Sequence, residues 1–215
     1  MLYADRTEAG KRLADELQKT NMPQPLVLAL ARGGVPVALP IARALYCPLD
    51  TFVVRKIGAP FNPEFAVGAL GPHDTVILDD ESIRASGSSR AAVEGVIGKE
   101  QSEMRRRIDA YRSGSFAAGY IPKTVIIVDD GIATGLTAKA ALVAARARHP
   151  KAHIVLVVPI CLGDAAHHVH SFADEIMCLD ARTDMHAIGQ AYGDFEQVAD
   201  EEVTKILEDH KARLL

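Results

Sequence analysis

The chain has 215 residues, 48% of them hydrophobic and 24% charged, a balance that excludes disordered, collagenous and coiled-coil chains and predicts one sizeable core. Its 24 Lys and Arg against 28 Asp and Glu leave a net charge of −4, so there is no global basic field to hold nucleic acid by counterion release. The longest apolar stretch, Ile154–Leu162, contains Pro159 and is far shorter than the roughly 20 residues of a membrane helix.

In chain order, Asp5 followed by Glu8 is a capping-type start, and Ala9, Leu13 and Leu17 then recur at helical spacing to about Lys19. The early acidic residues and the lack of an apolar leader predict a cytoplasmic protein with no membrane partner. Leu26–Ala31 reads as a strand, Val35–Leu45 as a helix and Thr51–Val54 as a strand. Ala66–Leu70 and Thr75–Leu78, separated by Gly71-Pro72-His73-Asp74, read as a hairpin at the sheet edge. From Ser86 to Arg112, Val93, Ile97, Met104, Ile108 and Tyr111 share one helical face, which predicts either a long helix over the core or a lid.

The alternation then resumes. Thr124–Val128 is a strand, Gly135–Arg148 a helix, His153–Val158 a strand, Asp164–Ser171 a short helix and Glu175–Leu179 a strand. The tail from Val198 to Leu215 is helical, acidic in its first turn and basic in its last, as the macrodipole favours. Strands built from Val, Ile and Leu runs are buried on both faces, so the pattern predicts an α/β domain around a mostly parallel sheet. Cys47, Cys161 and Cys178 are too scattered for a disulfide framework or a zinc site and are expected in the core. His167, His168 and His170 are expected on an exposed helix and its exit rather than as metal ligands.

The most informative stretch is Val125–Val128, then Asp129, Asp130, Gly131, Ile132, Ala133, Thr134, Gly135, Leu136 and Thr137, leading into an Ala-rich helix. A helix start offers unpaired N–H groups and a positive dipole end, and the two threonines add hydroxyls, so a phosphate can be cradled there without a cationic side chain. Gly131 and Gly135 allow close backbone approach. The order is neither GxxxxGK[ST] nor GxGxxG. Asp129 and Asp130 are placed to accept hydrogen bonds from two adjacent sugar hydroxyls; the plainer reading makes them a cap for the following helix.

This arrangement resembles the type I phosphoribosyltransferase signature: an apolar strand, two acidic residues, a short variable stretch and T-G-x-T. Two more matches follow the family's order. Ala31-Arg32-Gly33-Gly34 is similar to its pyrophosphate loop, in which a non-proline cis peptide is expected beside Arg32. Arg55-Lys56 is similar to the Arg-Lys pair that adenine-type members direct at pyrophosphate.

The resemblance implies the type I phosphoribosyltransferase fold: a mostly parallel twisted sheet flanked by helices, with a small hood subdomain and a flexible loop or helical insertion. It places a single domain over residues 1–215, a hood from about 1–20 and 180–215, and a lid or insertion over about 80–122. It further implies that Gly131 and Ala133–Thr137 hold the 5-phosphate of phosphoribosyl pyrophosphate, while Asp129 and Asp130 face the ribose hydroxyls.

The implied activity is transfer of 5-phosphoribosyl to a nitrogen acceptor such as a nucleobase, with release of pyrophosphate, as in nucleobase salvage. The alternative is a non-catalytic sensor of phosphoribosyl pyrophosphate or a nucleotide. Magnesium is the implied cofactor, held mainly by substrate and water, with Arg32, Arg55 and Lys56 neutralising the leaving group. Ala133 stands where 6-oxopurine members carry Asp, which disfavours a hypoxanthine or guanine acceptor. Tyr192 and Phe195 are candidates to stack on a base, with hood packing as the alternative. Many members are homodimers, so a homodimer is an open expectation here.

Overall fold

A computed structural model describes residues 2–71, 75–111 and 119–214. Residues 72–74 of the expected turn lie outside them, and its first residue, Gly71, ends β4. The elements in order are α1 (Arg6–Leu17), β1 (Pro25–Leu30), α2 (Gly34–Ala44), β2 (Leu49–Phe52), β3 (Arg55–Ala59), β4 (Asn62–Gly71), β5 (Thr75–Leu78), α3 (Asp80–Ala85) and α4 (Arg90–Tyr111). They continue with β6 (Thr124–Val128), α5 (Leu136–Arg148), β7 (His153–Leu162), α6 (Ala165–Val169), β8 (Glu175–Arg182) and α7 (Asp200–Leu214).

Five strands form one parallel sheet in the order β2-β1-β6-β7-β8. Side chains alternate across a strand, so β6 sends Val125 and Ile127 to one face and Ile126 and Val128 to the other, and all four are fully buried. The first face packs under the alanines of α5 and under α6; the second carries α1, α2 and α7. This double burial is why the strands read as unbroken apolar runs. Among the described residues, no helix is long and apolar enough to cross a membrane.

The expected edge hairpin is instead part of a separate antiparallel sheet, β3-β4-β5. β3 begins shortly after β2 ends. Arg55 and Lys56 therefore lie on a strand paired with Leu70 and Ala69, and not in a loop at a strand end. Register shifts on either side of Gly58 are absorbed within the ladder.

The expected hood segments divide. Leu2 and Tyr3 donate to Ala191 O, while Gly193 and Asp194 donate back to Tyr3 O and Ala4 O. The Tyr3 hydroxyl sits between Asp180 Oδ2 (2.5 Å) and Pro159 O (2.9 Å), fastening this unit to β7 and β8. α7 lies elsewhere, against α2, α4 and β2, because Val203, Leu207 and His210 form a buried face there. α4 packs on β3 and α7 through Val93, Met104 and Tyr111. Residues 112–118 of the expected insertion fall outside the description.

Candidate active site

Ligand sites in parallel sheets form at the carboxyl ends of the strands. Here β1 and β6 are neighbours, so the loops that follow them meet although about a hundred residues separate them. The contact is close: a Cβ added at Gly33 would lie 2.0 Å from Asp130 Oδ2, and one at Gly34 would lie 2.6 Å from Val128 O. Only glycine lets the two loops touch in this way. The peptide between Ala31 and Arg32 is cis.

On the other side of the acidic pair, the loop enters α5 through Gly135, which adopts a left-handed conformation (φ +78°) with no side-chain cap. With no cap from Gly135 itself, the first turn of α5 leaves backbone N–H groups available to an anion in the cleft. Thr134 Oγ1 accepts weakly from Leu136 N at 3.5 Å. Thr134, Gly135 and Leu136, with Ala133, line a cleft of about 1030 Å³ whose other walls include Lys56, Lys139, His168 and His186.

A second cavity, of about 440 Å³, is bounded by Ala31, Arg55, Lys56 and Thr137 together with Lys99, Glu100 and Arg107 of α4. Three motifs that are far apart in sequence therefore border adjoining spaces, with Lys56 lining both. The neighbouring Arg32 points its guanidinium to the start of α7, with Nη1 3.8 Å from Asp200 Oδ1. Arg55 is gripped by Glu100: its Nε donates to Glu100 Oε2 at 2.8 Å, and Nη2 donates to the same oxygen.

Asp129 and Asp130 differ in environment. Among the described residues, no cation is in direct contact with Asp129. Burial, then the adjacent Asp130 charge, pushes its carboxyl well above the usual range, and its Oδ1 accepts from Asp130 N at 2.9 Å. Asp130 is raised by burial too, but Arg6 opposes that rise. Arg6 Nε donates to Asp130 Oδ2 at 2.9 Å, its Nη1 donates to Glu196 O at 2.9 Å, and its Cζ lies 3.9 Å from the Phe195 ring centroid.

Tyr192 and Phe195 serve this arrangement. Tyr192 is 5% exposed and donates its hydroxyl to Asp130 O at 2.6 Å. Phe195 stacks on Tyr192 and on Arg6. Both are engaged in packing that supports Asp130.

Arg6, Glu100, Lys99, Arg107 and Asp200 were not assigned to the site from the sequence. Arg6 did leave a signal: a cation in the first turn of a helix opposes the macrodipole, which implies a carboxylate partner outside that helix. The other four sit among ordinary helical surface charges, and nothing local distinguishes them.

The model of the phosphoribosyl transferase domain family matches residues 3–193. Two curated relatives from Mycobacterium tuberculosis, carried under a provisional phosphoribosyl transferase name, are each 42% identical over 207 residues. The match covers 96% of this chain and 46% of each relative, so the chain spans about half the length of the curated proteins it matches. The crystal structure of TT1426 from Thermus thermophilus is similar with a TM-score of 0.77 and 36% identity, covering 97% of this chain and 99% of that one. A protein from Neisseria gonorrhoeae solved with bound ppGpp shares the fold at a TM-score of 0.52 and 9% identity, over 97% and 96% of the two chains. The parallel sheet, the helices on both its faces and the matched span lead to one conclusion: the chain belongs to the phosphoribosyl transferase domain family and has the type I fold.

Proposed function

We propose that this domain transfers 5-phosphoribosyl from phosphoribosyl pyrophosphate to a nitrogen acceptor of nucleobase type and releases pyrophosphate. The observation that carries the reading is the convergence of Ala31, Arg55, Lys56 and Thr137 around one cavity, next to the cleft lined by Ala133–Leu136. A donor with a phosphate at one end and a diphosphate at the other needs two anion sites a short distance apart, with hydroxyl acceptors between them. The cradle at α5, the acidic pair and the cationic cavity are the groups that would supply these.

In this reading the N–H groups at the start of α5 and the Thr134 hydroxyl hold the 5-phosphate, with the Thr137 hydroxyl reaching it from the wall of the neighbouring cavity. Asp129 and Asp130 accept from the ribose hydroxyls and fix the ring. Arg55 and Lys56 bind the leaving diphosphate, where each oriented donor is worth on the order of 10²-fold in rate. α4, packed across β3, keeps water from a sugar carbon that becomes cationic as the leaving group departs.

Two adjoining buried carboxylates with raised proton affinity are hard oxygen donors that a divalent cation would relieve, so Asp129 and Asp130 fit a magnesium ion shared with substrate oxygens. Bound magnesium supplies charge neutralisation on the diphosphate. Ala133 puts no carboxylate beside the acceptor, which favours acceptors other than 6-oxopurines.

The test is calorimetric titration with phosphoribosyl pyrophosphate, with and without magnesium, followed by pyrophosphate release across a panel of bases. Magnesium-dependent binding with release for one base establishes the transfer and its acceptor. Binding without release for any base points to a regulator that responds to the donor. Absence of binding removes the reading.

A further inference from the structure

We propose that Glu100 of α4 stands in for an anionic oxygen of the leaving diphosphate, holding Arg55 ready before the donor arrives, and that Lys99 and Arg107 beside it complete the diphosphate cavity. This rests on the functional reading above and assigns to that site three residues that the signature motifs do not contain.

Among the described residues, the cavity of about 440 Å³ is lined by four cations, Arg55, Lys56, Lys99 and Arg107, and by one carboxylate, Glu100. That carboxylate is placed on the cation nearest it, with two Arg55 nitrogens converging on the single oxygen Glu100 Oε2. The same two guanidinium donors are those with which arginine grips a phosphoryl group, there as two parallel bonds. Arg107 is steered in the same way, its Nε donating to Glu103 Oε1 at 2.9 Å. An incoming diphosphate would take over the Arg55 donors and return Glu100 to water at the cavity rim, since the Glu100 side chain already keeps 18% of its exposure.

A purely structural role for the pair is not needed to dock α4. The helix is already anchored by Val93, Met104 and Tyr111, which are 0%, 5% and 1% exposed, and by Asp200 of α7, which accepts from Tyr111 Oη at 2.5 Å and Arg106 Nη2 at 2.9 Å. Removing the Glu100 charge therefore leaves the helix in place and takes away only the internal competitor for Arg55. A competitor differs from a structural strut in one measurable respect: its loss improves ligand binding.

The experiment is titration of inorganic pyrophosphate and, separately, ribose 5-phosphate into the wild type, Glu100→Gln, Glu100→Ala and Lys99→Gln, with a thermal melt of each variant. Both Glu100 variants are expected to bind pyrophosphate about fivefold more tightly, the scale of a partly exposed ion pair, with ribose 5-phosphate unchanged. Lys99→Gln is expected to bind pyrophosphate about threefold more weakly. Pyrophosphate affinity that is unchanged or lower in both Glu100 variants overturns the proposal. So does a wild type that binds ribose 5-phosphate but shows no pyrophosphate binding in any variant; the phosphate cradle would then stand alone. Loss of ribose 5-phosphate binding as well, in the wild type, would bring down the functional reading itself.

Discussion

The side of the cleft to which we assign the 5-phosphate comes from one unbroken stretch, Val125–Thr137, and offers backbone groups at the start of a helix. The side to which we assign the diphosphate is gathered from the loop after β1, from β3 and from α4, and offers side chains that reach each other only after those elements dock. The first is fixed by a single turn whose glycines set the chain's direction. The second depends on α4 being held by α7 and on cations being held by carboxylates from other elements. Damage to the first should therefore be local and severe for binding. Damage to the second should be spread between binding and stability.

The sharpest way to break this contrast is Thr134→Val combined with Gly135→Ala. The valine removes a hydroxyl from the cradle, and the added Cβ at residue 135 faces Val169 Cγ1 at 2.9 Å on a backbone with φ +78°. Losing a hydrogen bond to a charged phosphate and straining the turn together predict about 100-fold weaker binding of phosphoribosyl pyrophosphate. Calorimetry on a variant whose far-ultraviolet spectrum is unchanged checks this. Unaltered affinity would mean that the phosphate sits elsewhere.

Next in size is Arg6→Ala. It leaves Asp130 with no cation in contact, in a place where both side chains of the pair are less than a fifth exposed. Breaking a largely buried ion pair from one end should cost about 2 kcal/mol, read as a lower urea midpoint at constant slope. A midpoint that does not move would show that Asp130 needs no counter-charge, and the division of labour within the acidic pair would fall with it.

Asp129→Asn with Asp130→Asn should weaken magnesium-dependent donor binding by about tenfold and inorganic phosphate binding much less. Equal losses would mean that the carboxylates do not face the sugar. Asp129→Asn alone carries an opposite signature in stability. Because its carboxyl is raised in the folded state, the folded chain holds that proton more tightly than the unfolded chain. Its contribution to stability is full below the usual carboxylate range and is lost as pH rises through the elevated folded value. Removing the charge should thus stabilise the domain at pH 7 by about 1 kcal/mol while impairing function.

The same contrast explains what the sequence could and could not disclose. The β6–α5 stretch was legible because everything it does lies within thirteen consecutive positions and follows local rules: apolar run, paired acids, turn glycine, helix start. The parallel sheet was legible for the same reason, since burial on both faces leaves no polar alternation in β1, β6 or β7. β3 was not, because Arg55 and Lys56 interrupt its apolar pattern and Gly58 looks like a strand end. Its pairing with β4 is a tertiary fact. Glu100, Arg107 and Asp200 were illegible because a charged residue on a helix face looks the same whether it meets water or an arginine from another element. The helical reading of residues 86–112 foresaw α4 yet left open whether it was a core helix or a lid.

The smallest effect concerns the foundation of the assembled side. α7 brings Asp200 to Arg106, Tyr111 and the neighbourhood of Arg32, and its last turns are docked through His210. That side chain is 3% exposed, its Nε2 lies 2.9 Å from Cys47 O, and its buried Nδ1 has no hydrogen-bond partner among the described residues. Burial, with Arg43 and Arg213 nearby, holds the imidazole below its usual 6.5. The folded chain therefore keeps His210 neutral where the unfolded chain has begun to take up a proton. Stability from this group is fully present above about pH 6.5 and declines as pH falls below it, by at most about 1.4 kcal/mol per pH unit until the folded value is reached. His149, also lowered by burial, pulls in the same direction. Gln at position 210 can still donate to Cys47 O but does not titrate, so His210→Gln should flatten the urea-midpoint profile between about pH 7 and pH 5. An undiminished slope would assign the acid sensitivity to His149 at the end of α5, on the opposite face of the sheet from α7.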